Sequence, residues 1–238
     1  MPVALITGGA IRVGRAISLA LAHAGFDVVI HAHSSLAEAQ ALAAELKALG
    51  RTARVECEDL SHPDGPAKLA GRIAALDLLV NSAAAYEHVD FADVSRAQFD
   101  AMIAVNVAAP FFLTQALVPR LRASKQGAVV NITDMAVTHA YTTSHFFAHY
   151  LASKAALDQL TRAWALELGP SIRVNAVAPG PVAMAAQTTD AQRAEILKRV
   201  PLRREGHPDD VARAVVFLAT NGYITGQTLR VDGGLSVA

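Results

Sequence analysis

The stretch VALITGGAIRVG, residues 3–14, begins with a short apolar run and continues into a glycine-rich turn. The run over 3–7 has the length and composition of a buried strand, and the residues after the turn, 13–24, have the apolar spacing of a helix. Gly25 follows this helix, at a position where glycine is common because it readily adopts a left-handed backbone. The chain therefore opens with a strand, a glycine turn and a helix.

The rest of the chain repeats this alternation. Further apolar runs of strand length lie at 27–31, 53–57, 76–81, 127–133, 173–178 and 228–231. Helical patterns lie between them, at 35–49, 66–75, 95–124, 150–168 and 208–220. Most of the strand runs are continuously apolar, which is typical of parallel strands with helices on both faces. Since no linker or repeat interrupts the pattern, we predict one Rossmann-type, doubly wound α/β domain over residues 1–238.

Composition narrows the class of protein. Hydrophobic residues make up 53% of the 238 residues, enough for a large core, and Lys+Arg and Asp+Glu both number 21, so the basic surplus of a nucleic-acid-binding protein is missing. No apolar run is long enough to predict a membrane span, and the first strand begins too near Met1 for a signal peptide. Cys57 is the only cysteine, and no His/Cys cluster has the spacing of zinc ligands. We expect a cytoplasmic protein that acts on a small molecule, with no nucleic-acid, membrane or metal partner.

The glycine turn indicates what the first helix binds. Gly8 and Gly14 are six positions apart with Gly9 between them, and such glycines let the backbone approach a pyrophosphate that the helix N-terminus stabilises. The spacing differs from the G-x-G-x-x-G fingerprint, and many strand–helix turns contain glycine for geometry alone. Its place after the first strand of an α/β chain favours a dinucleotide site, which would include Val13.

The end of the second strand distinguishes the two nicotinamide cofactors. An NAD site usually has Asp or Glu there to hold the ribose 2′-hydroxyl, whereas this chain has HAHSS at 31–35. The His33 imidazole, the hydroxyls of Ser34 and Ser35, and the Arg12 guanidinium can bind a 2′-phosphate, which a carboxylate would repel. The segment therefore predicts NADPH. The alternative is that His33 and the serines only cap the next helix.

Tyr150 and Lys154 are four residues apart on a helical pattern, so they share one face of the helix. A phenol has a pKa of about 10, but a neighbouring ammonium stabilises the phenolate, so we expect Lys154 to lower the pKa of Tyr150. The pair can then exchange a proton with a carbonyl or imine while a hydride moves at the adjacent atom. On its own, the pattern also fits a Tyr in the core and a Lys on the surface.

In combination, these motifs resemble the short-chain dehydrogenase/reductase family over nearly the whole chain. The matching motifs, in the order of the family, are the turn at 7–14, Asp59-Leu60, Asn81-Ser82-Ala83, Asn106, Tyr150 with Lys154, Pro179-Gly180 and Asp232-Gly233-Gly234. The resemblance implies a seven-stranded parallel sheet, a nicotinamide cofactor, and assembly as a homotetramer or homodimer.

The same resemblance implies roles for individual residues. Asp59 and Leu60 would flank the adenine, and Lys154 would bind the nicotinamide ribose as well as tuning Tyr150. Asn106 would hold a helix kink and a water of the proton relay. The remaining cofactor contacts that the resemblance implies are Asn81 near the adenosine ribose, its neighbours Ser82 and Ala83, and Pro179 and Gly180 in the nicotinamide pocket.

Two positions depart from the pattern of the family. The chain has NSAA at 81–84 where Asn-Asn-Ala-Gly is usual. The catalytic Ser of the family falls on Asp134 when counted along the fifth strand, but on Val137 when counted back from Tyr150. We take the strand register, which makes Asp134 catalytic and implies about three extra residues in the loop 138–149. The alternative replacements for the Ser are Thr133 and Thr138.

These departures resemble one branch of the family, the pteridine reductases and dihydromonapterin reductases. That branch has Arg in the glycine turn, like Arg12, a His-x-His segment like 31–35, and Asp in place of the catalytic Ser, like Asp134. It also has an aromatic residue at the position of Tyr86, whose ring stacks a pterin against the nicotinamide. A ring can stack on a flat heteroaromatic, and a carboxylic acid can hydrogen-bond its amino and ring nitrogens. The resemblance implies a dihydropterin substrate contacted by Tyr86, Asp134 and Arg12.

Other functions stay open at this level. Tyr86 can also be an ordinary aromatic residue of a loop. The substrate of the same reaction can be a 3-oxoacyl thioester, a sugar or another ketone. The segment 182–204 is the expected substrate lid, but its sequence does not identify the substrate. The non-enzymatic alternatives are an NADPH-binding sensor and a structural scaffold, and the Tyr150, Lys154 and Asn106 set argues against the sensor. From His139, His145 and His149 we expect ordinary loop chemistry.

Overall fold

A computed structural model describes residues 1–137, 148–184 and 188–238, and a parallel β-sheet forms its centre. The strands are β1 (Val3–Ile6), β2 (Asp27–Ala32), β3 (Ala53–Cys57), β4 (Leu78–Asn81), β5 (Ala128–Ile132), β6 (Arg173–Pro179) and β7 (Thr228–Val231). Their order in the sheet is β3-β2-β1-β4-β5-β6-β7, and every pairing is parallel. The predicted α/β fold with seven parallel strands is confirmed.

Helices cover both faces of the sheet. They are α1 (Arg12–His23), α2 (Leu36–Ala48), α3 (Gly65–Gly71), α4 (Arg96–Ile103), α5 (Ala109–Ala123), α6 (Ala148–Leu168), α7 (Asp190–Arg199) and α8 (Pro208–Thr220). Helix α7 lies inside the segment 182–204 and was not predicted. None of its residues is buried, so it has no apolar stripe that would mark it in the sequence.

The strand side chains alternate between two hydrophobic cores. Ala4 and Ile6 of β1 pack with residues of α1, α2 and α8 on one face. Leu5, between them, packs with residues of α3, α5 and α6 on the other face. All three side chains are fully buried. Because each face of the sheet contributes to a core, successive residues of the strands are mostly apolar, which explains the continuous apolar runs.

The prediction of a single helix over 95–124 is wrong, because a π-helical turn at Ala104–Ala108 separates α4 from α5. Pro110, the second residue of α5, has no N–H to donate to the carbonyl four residues earlier. The regular hydrogen-bond ladder is therefore interrupted at this point, and a π-helical turn is one known form of such an interruption. Asn106 lies within this turn.

The segment Arg96–Ala123, which contains this turn, is the one helix of the described residues that is long and apolar enough to cross a membrane, judged by length and composition alone. Leu113, Leu117 and Leu121 on its inner side are fully buried in the second hydrophobic core. The apolar character of the segment is therefore that of a core helix.

The strand order reverses beside β1, since β2 lies on one side of it and β4 on the other. In open parallel sheets this arrangement leaves a crevice at the carboxyl ends of the strands, where ligands bind. The glycine turn after β1 and the loop after β4 therefore border the same crevice.

Candidate active site

A cavity of about 780 Å³ opens at this crevice, a volume in the range of sites that enclose small-molecule ligands. Most of the residues singled out in the sequence form its wall. They are Gly8, Arg12, Val13, Gly14, His33, Ser34, Ser35, Asp59, Leu60, Ser82, Ala83, Tyr86, Asp134, Tyr150, Lys154, Pro179 and Gly180. Asn81 and Asn106 are not part of the wall.

The glycine turn brings backbone rather than side chains to the cavity. Gly8 has a φ of 61°, in the left-handed region that glycine adopts without strain. A Cβ on Gly14 would lie 2.0 Å from the Gly8 carbonyl oxygen, so a larger residue does not fit there. The first turn of α1 has no side-chain cap and no acidic residue. Its N–H groups, at the positive end of the helix dipole, are suited to bind an anionic group.

The polar segment after β2 forms one end of the cavity. Ser35 occupies the N-cap position of α2, but its side chain makes no capping hydrogen bond, so the capping alternative is wrong for this residue. The His33 imidazole is exposed, with Nδ1 3.9 Å from the Asp59 carboxylate. The hydrogen bonds of Ser61 lower the pKa of Asp59. This end of the cavity therefore presents hydroxyl and imidazole groups, with one ionised carboxylate nearby.

Tyr150 and Lys154 lie on one face of α6 and meet the end of β5. The Tyr150 hydroxyl donates to Asp134 Oδ2 at 3.2 Å, and the other carboxylate oxygen accepts the Ala136 N–H at 2.8 Å. Lys154 is buried, and its Nζ donates to the Ile132 carbonyl oxygen at 2.9 Å. A phenol, a carboxyl group and an amine are thus brought together at the cavity wall.

The position of Asp134 beside the Tyr150 hydroxyl agrees with counting along β5. Thr133, one of the two alternatives, is buried and donates instead to the Val177 carbonyl oxygen at 3.3 Å. Thr138, the other alternative, lies outside the described residues, as does most of the loop in which extra residues were inferred.

The pKa of Tyr150 differs from the expectation. Burial raises it well above its usual value, and the charge and hydrogen bond of Asp134 raise it further. Burial lowers the pKa of Lys154 to about 8, although the Asp134 charge opposes that shift. Burial also raises the pKa of Asp134. The expected net lowering of the Tyr150 pKa is therefore wrong, because burial and the Asp134 carboxylate outweigh the stabilising effect of an ammonium 5.8 Å from the ring centroid.

Asn106 and Asn81 lie behind the cavity wall. Asn106 Nδ2 donates to Ser153 Oγ at 2.9 Å and to the Ala85 carbonyl oxygen at 3.0 Å, while its Oδ1 accepts the Ala85 N–H at 2.8 Å. It ties the π-helical turn to α6 and to the loop after β4. Asn81 is buried, and its Nδ2 donates to Asn131 Oδ1 at 2.8 Å. The Asn81 side chain, expected near a ribose, is thus part of the packing between β4 and β5.

Tyr86 and Arg12 lie near Tyr150 and Lys154. The Tyr86 side chain is 57% exposed, and its ring meets that of Tyr150 edge to face, with centroids 5.0 Å apart. The Arg12 guanidinium donates to the Ala183 carbonyl oxygen. Burial raises the pKa of Tyr86, and the charge of Arg12 opposes that shift. Arg12 therefore extends toward Tyr86 and the segment 182–204.

The segment 182–204 borders the cavity through Val182, Ala183, Met184, Thr188 and Ile196, and residues 185–187 lie outside the described part. Glu205 holds both sides of this segment, since Oε1 accepts the Met184 N–H at 2.6 Å and Oε2 pairs with Arg193 of α7. A third hydrophobic cluster connects α7 with the neighbours of Asp134 and Tyr150. It contains Met135, Ala136, Val200 and Leu235, with Leu151 and Leu197 packed against it.

Sequence reasoning missed two polar residues that shape the site, Thr7 and His31. Thr7 Oγ1 accepts the N–H groups of Ser82 and Ala83 at 2.9 and 3.0 Å, which fixes the loop after β4 to the end of β1. His31 is buried at the end of β2 and lines the cavity. In the sequence, His31 is a polar residue at the end of an apolar strand. Such a residue is expected to be buried and to bind a hydrogen-bond partner, because buried polar groups need one.

Of the three histidines before Tyr150, His139 and His145 lie outside the described residues. His149 is buried on α6, and neither of its ring nitrogens has a hydrogen-bond partner within the described ranges. It is not among the described residues of the cavity wall.

Comparison with known proteins shows which families and structures this chain resembles. Residues 9–236 match the family model described as enoyl-(acyl carrier protein) reductase. The chain is 40% identical to an uncharacterized oxidoreductase of Mycobacterium tuberculosis, over 98% of this chain and 92% of the relative. It is 32% identical to a 3-oxoacyl-[acyl-carrier-protein] reductase of Thermotoga maritima, over 99% of this chain and 98% of the relative.

A solved structure matches the whole chain. It is the crystal structure of the FolM alternative dihydrofolate reductase 1 from Brucella canis, complexed with NADP. The two superpose with a TM-score of 0.90 at 34% sequence identity, covering 100% of this chain and 94% of the other. The likeness therefore includes every element that builds the cavity.

Proposed function

The chain belongs to the short-chain dehydrogenase/reductase family, and from this premise we propose that it is an NADPH-dependent reductase of a dihydropterin. The observation that carries the proposal is the hydrogen bond between the Tyr150 hydroxyl and Asp134, where the family usually has Ser. Tyr86, which contacts the Tyr150 ring, supplies an exposed aromatic surface next to this pair.

The chemistry at both ends of the cavity supports the choice of cofactor. The uncapped N-terminus of α1 behind close-packed glycines fits a pyrophosphate, and His33, Ser34 and Ser35 fit a 2′-phosphate. In an NAD site, the acid that binds the ribose 2′-hydroxyl lies at the end of β2. Asp59 instead follows β3, so it is not at that position. The Brucella canis structure contains NADP. These residues would hold NADPH, which when bound supplies a hydride to the substrate.

The chain's own residues would deliver the proton. Tyr150 remains protonated at neutral pH because its pKa is raised, so its hydroxyl can donate to the substrate atom next to the reduced carbon. The Asp134 carboxylate is oriented by the Ala136 N–H and has a raised pKa, so it can take up a proton from water and pass it to the phenolate. Lys154, anchored on the Ile132 carbonyl, adds a positive charge that stabilises the phenolate as it forms.

We expect NADPH to bind at least about tenfold more tightly than NADH, because hydrogen bonds to a charged group contribute about 1.5–3 kcal/mol. His33→Asp should reduce this preference by placing a carboxylate near the 2′-phosphate. Fluorescence titration with both nucleotides measures the two dissociation constants. His23→Asp, at an exposed position outside the cavity wall, is the matched control. Equal affinities of the wild type, or a preference for NADH, would contradict the assignment.

The substrate assignment depends on the polar and aromatic groups next to Tyr150. A planar bicyclic ring can stack on Tyr86, while the Asp134 carboxyl and the Arg12 guanidinium can hydrogen-bond the edge of the ring. An acyl chain would use none of these three groups. The Brucella canis protein is described as an alternative dihydrofolate reductase, and dihydrofolate contains a dihydropterin ring. The proposal therefore favours a dihydropterin over an aliphatic ketone.

NADPH turnover on dihydrobiopterin or dihydromonapterin, compared with a 3-oxoacyl thioester and a simple quinone, tests the substrate. We expect the dihydropterin to have the highest catalytic efficiency. Tyr86→Ala should lower that efficiency about ten- to a hundredfold, since a stacking contact is worth about 1–3 kcal/mol, and should leave NADPH affinity within about twofold.

Tyr223→Ala, at a fully exposed tyrosine outside the cavity wall, is the control for the change at Tyr86 and should have no effect. Good activity on another carbonyl without measurable pterin reduction would support the assignment as a reductase but contradict a dihydropterin substrate. The relative in Thermotoga maritima, a 3-oxoacyl-[acyl-carrier-protein] reductase, makes a 3-oxoacyl thioester the second candidate. Tight NADPH binding without turnover on any substrate would favour a sensor.

A further inference from the structure

The His31 side chain joins the glycine turn to the loop after β3. Its ring is buried at the end of β2, where Nδ1 accepts the Gly8 N–H at 3.3 Å. On the opposite side, Nε2 lies 3.0 Å from the Glu58 carbonyl oxygen. Because a carbonyl oxygen only accepts, Nε2 carries the proton and Nδ1 is the acceptor, so the ring is neutral and in one tautomer. Burial lowers the pKa of His31, which keeps the ring neutral at physiological pH.

These contacts fall on the part of the turn that has the most constrained backbone. Gly8 has a left-handed conformation, and its carbonyl oxygen is the atom that packs against Gly14. The backbone carbonyl of His31 accepts the Gly9 N–H at 3.0 Å, a contact that any residue can make, whereas the bond to Gly8 requires an acceptor in the side chain. The side chain of His31 therefore fixes the turn that leads into the N-terminus of α1.

We propose that His31 is a positioning residue, which holds the glycine turn in the shape that the NADPH pyrophosphate requires without contacting the reacting atoms. The inference depends on the proposed NADPH site. It assigns to His31 a role different from that of His33, whose exposed ring would meet the 2′-phosphate directly. His31 acts through the backbone of Gly8.

Two substitutions test the acceptor, Nδ1, and the donor, Nε2, of the His31 ring separately. In His31→Asn, the amide oxygen can occupy the place of Nδ1, one bond from Cγ, and can accept the Gly8 N–H. In His31→Gln, the amide nitrogen can reach the place of Nε2 and donate to the Glu58 carbonyl, but nothing accepts from Gly8. A role in the turn predicts different results for the two variants, whereas lost packing around the ring would affect both.

Titration of NADPH fluorescence with each variant tests the proposal. We expect the dissociation constant to rise about tenfold in His31→Gln, in the range produced by one buried donor without a partner, and to stay within about threefold of wild type in His31→Asn. In His31→Gln, kcat at saturating NADPH should change less than the dissociation constant, since His31 does not touch the reacting atoms. Equal dissociation constants for the two variants, or weaker binding by His31→Asn, would overturn the proposal.

Hydrogen exchange of the Gly8 amide in cofactor-free protein measures the same contact without NADPH. Exchange should be slow in wild type and in His31→Asn, and at least about tenfold faster in His31→Gln, with thermal unfolding as the control for an intact fold. If the wild type binds no NADPH, the cofactor assignment fails, and the exchange rates still decide whether His31 holds the turn. Unchanged Gly8 exchange in His31→Gln would overturn the role of His31.

Discussion

Tyr150→Phe is expected to lower turnover about a hundred- to ten-thousandfold, the usual contribution of general acid catalysis. The change removes only the hydroxyl, so the ring can keep its edge-to-face contact with Tyr86, and NADPH affinity should stay within about threefold. The loss should be large because the raised pKa of Tyr150 keeps the hydroxyl protonated, ready to donate at neutral pH. Single-turnover kinetics on the best substrate, with NADPH saturating, measure the effect on the chemical step.

Tyr223→Phe makes the same chemical change at an exposed position outside the cavity wall and should leave turnover unchanged. Thermal unfolding of both variants checks that the fold is intact. Near-native turnover of Tyr150→Phe would show that another group donates the proton, and the assignment of Tyr150 would then be wrong.

The sheet could be predicted because burial on both faces leaves a strong signal in each strand. Leu5 packs into one core and its neighbours Ala4 and Ile6 into the other, so the strand is apolar throughout. The helices were harder to predict where burial is weak or the backbone is irregular. Helix α7 has no buried residue, and the π-helical turn before Pro110 interrupts a pattern that remains apolar on both sides.

Motif order predicted most of the residues that line the cavity, but it did not predict their electrostatics. Counting along β5 placed Asp134 correctly next to Tyr150, because a strand has a fixed rise per residue and a loop does not. The raised pKa of Tyr150 depends on how deeply the hydroxyl is buried and on its distance from the carboxylate, which no local pattern contains. Asn81 turns into the core because Asn131, on the adjacent strand, offers it a partner.

Asp134→Asn is expected to lower dihydropterin turnover about a hundred- to ten-thousandfold with little change in NADPH affinity. An amide has the size of a carboxyl group, its oxygen can still accept the Ala136 N–H, and its nitrogen can donate to the Tyr150 oxygen, so the side chain can keep its place. It cannot return a proton to the phenolate. Asp134→Ser introduces the usual hydroxyl of the family and serves as the matched comparison. It should lose pterin turnover as well, but retain activity on a simple ketone or quinone.

The pH dependence of turnover gives an independent measure of Asp134. Burial lowers the pKa of Lys154 to about 8, and the Asp134 charge raises it. Turnover should therefore fall as the pH rises through about 8, because Lys154 loses the positive charge that stabilises the phenolate. In Asp134→Asn the negative charge is gone, the pKa of Lys154 falls further, and the decline should begin at lower pH. If the decline stays in place, the Asp134 charge does not act on Lys154. If the variant loses less than about tenfold in turnover, Asp134 does not return the proton to the phenolate.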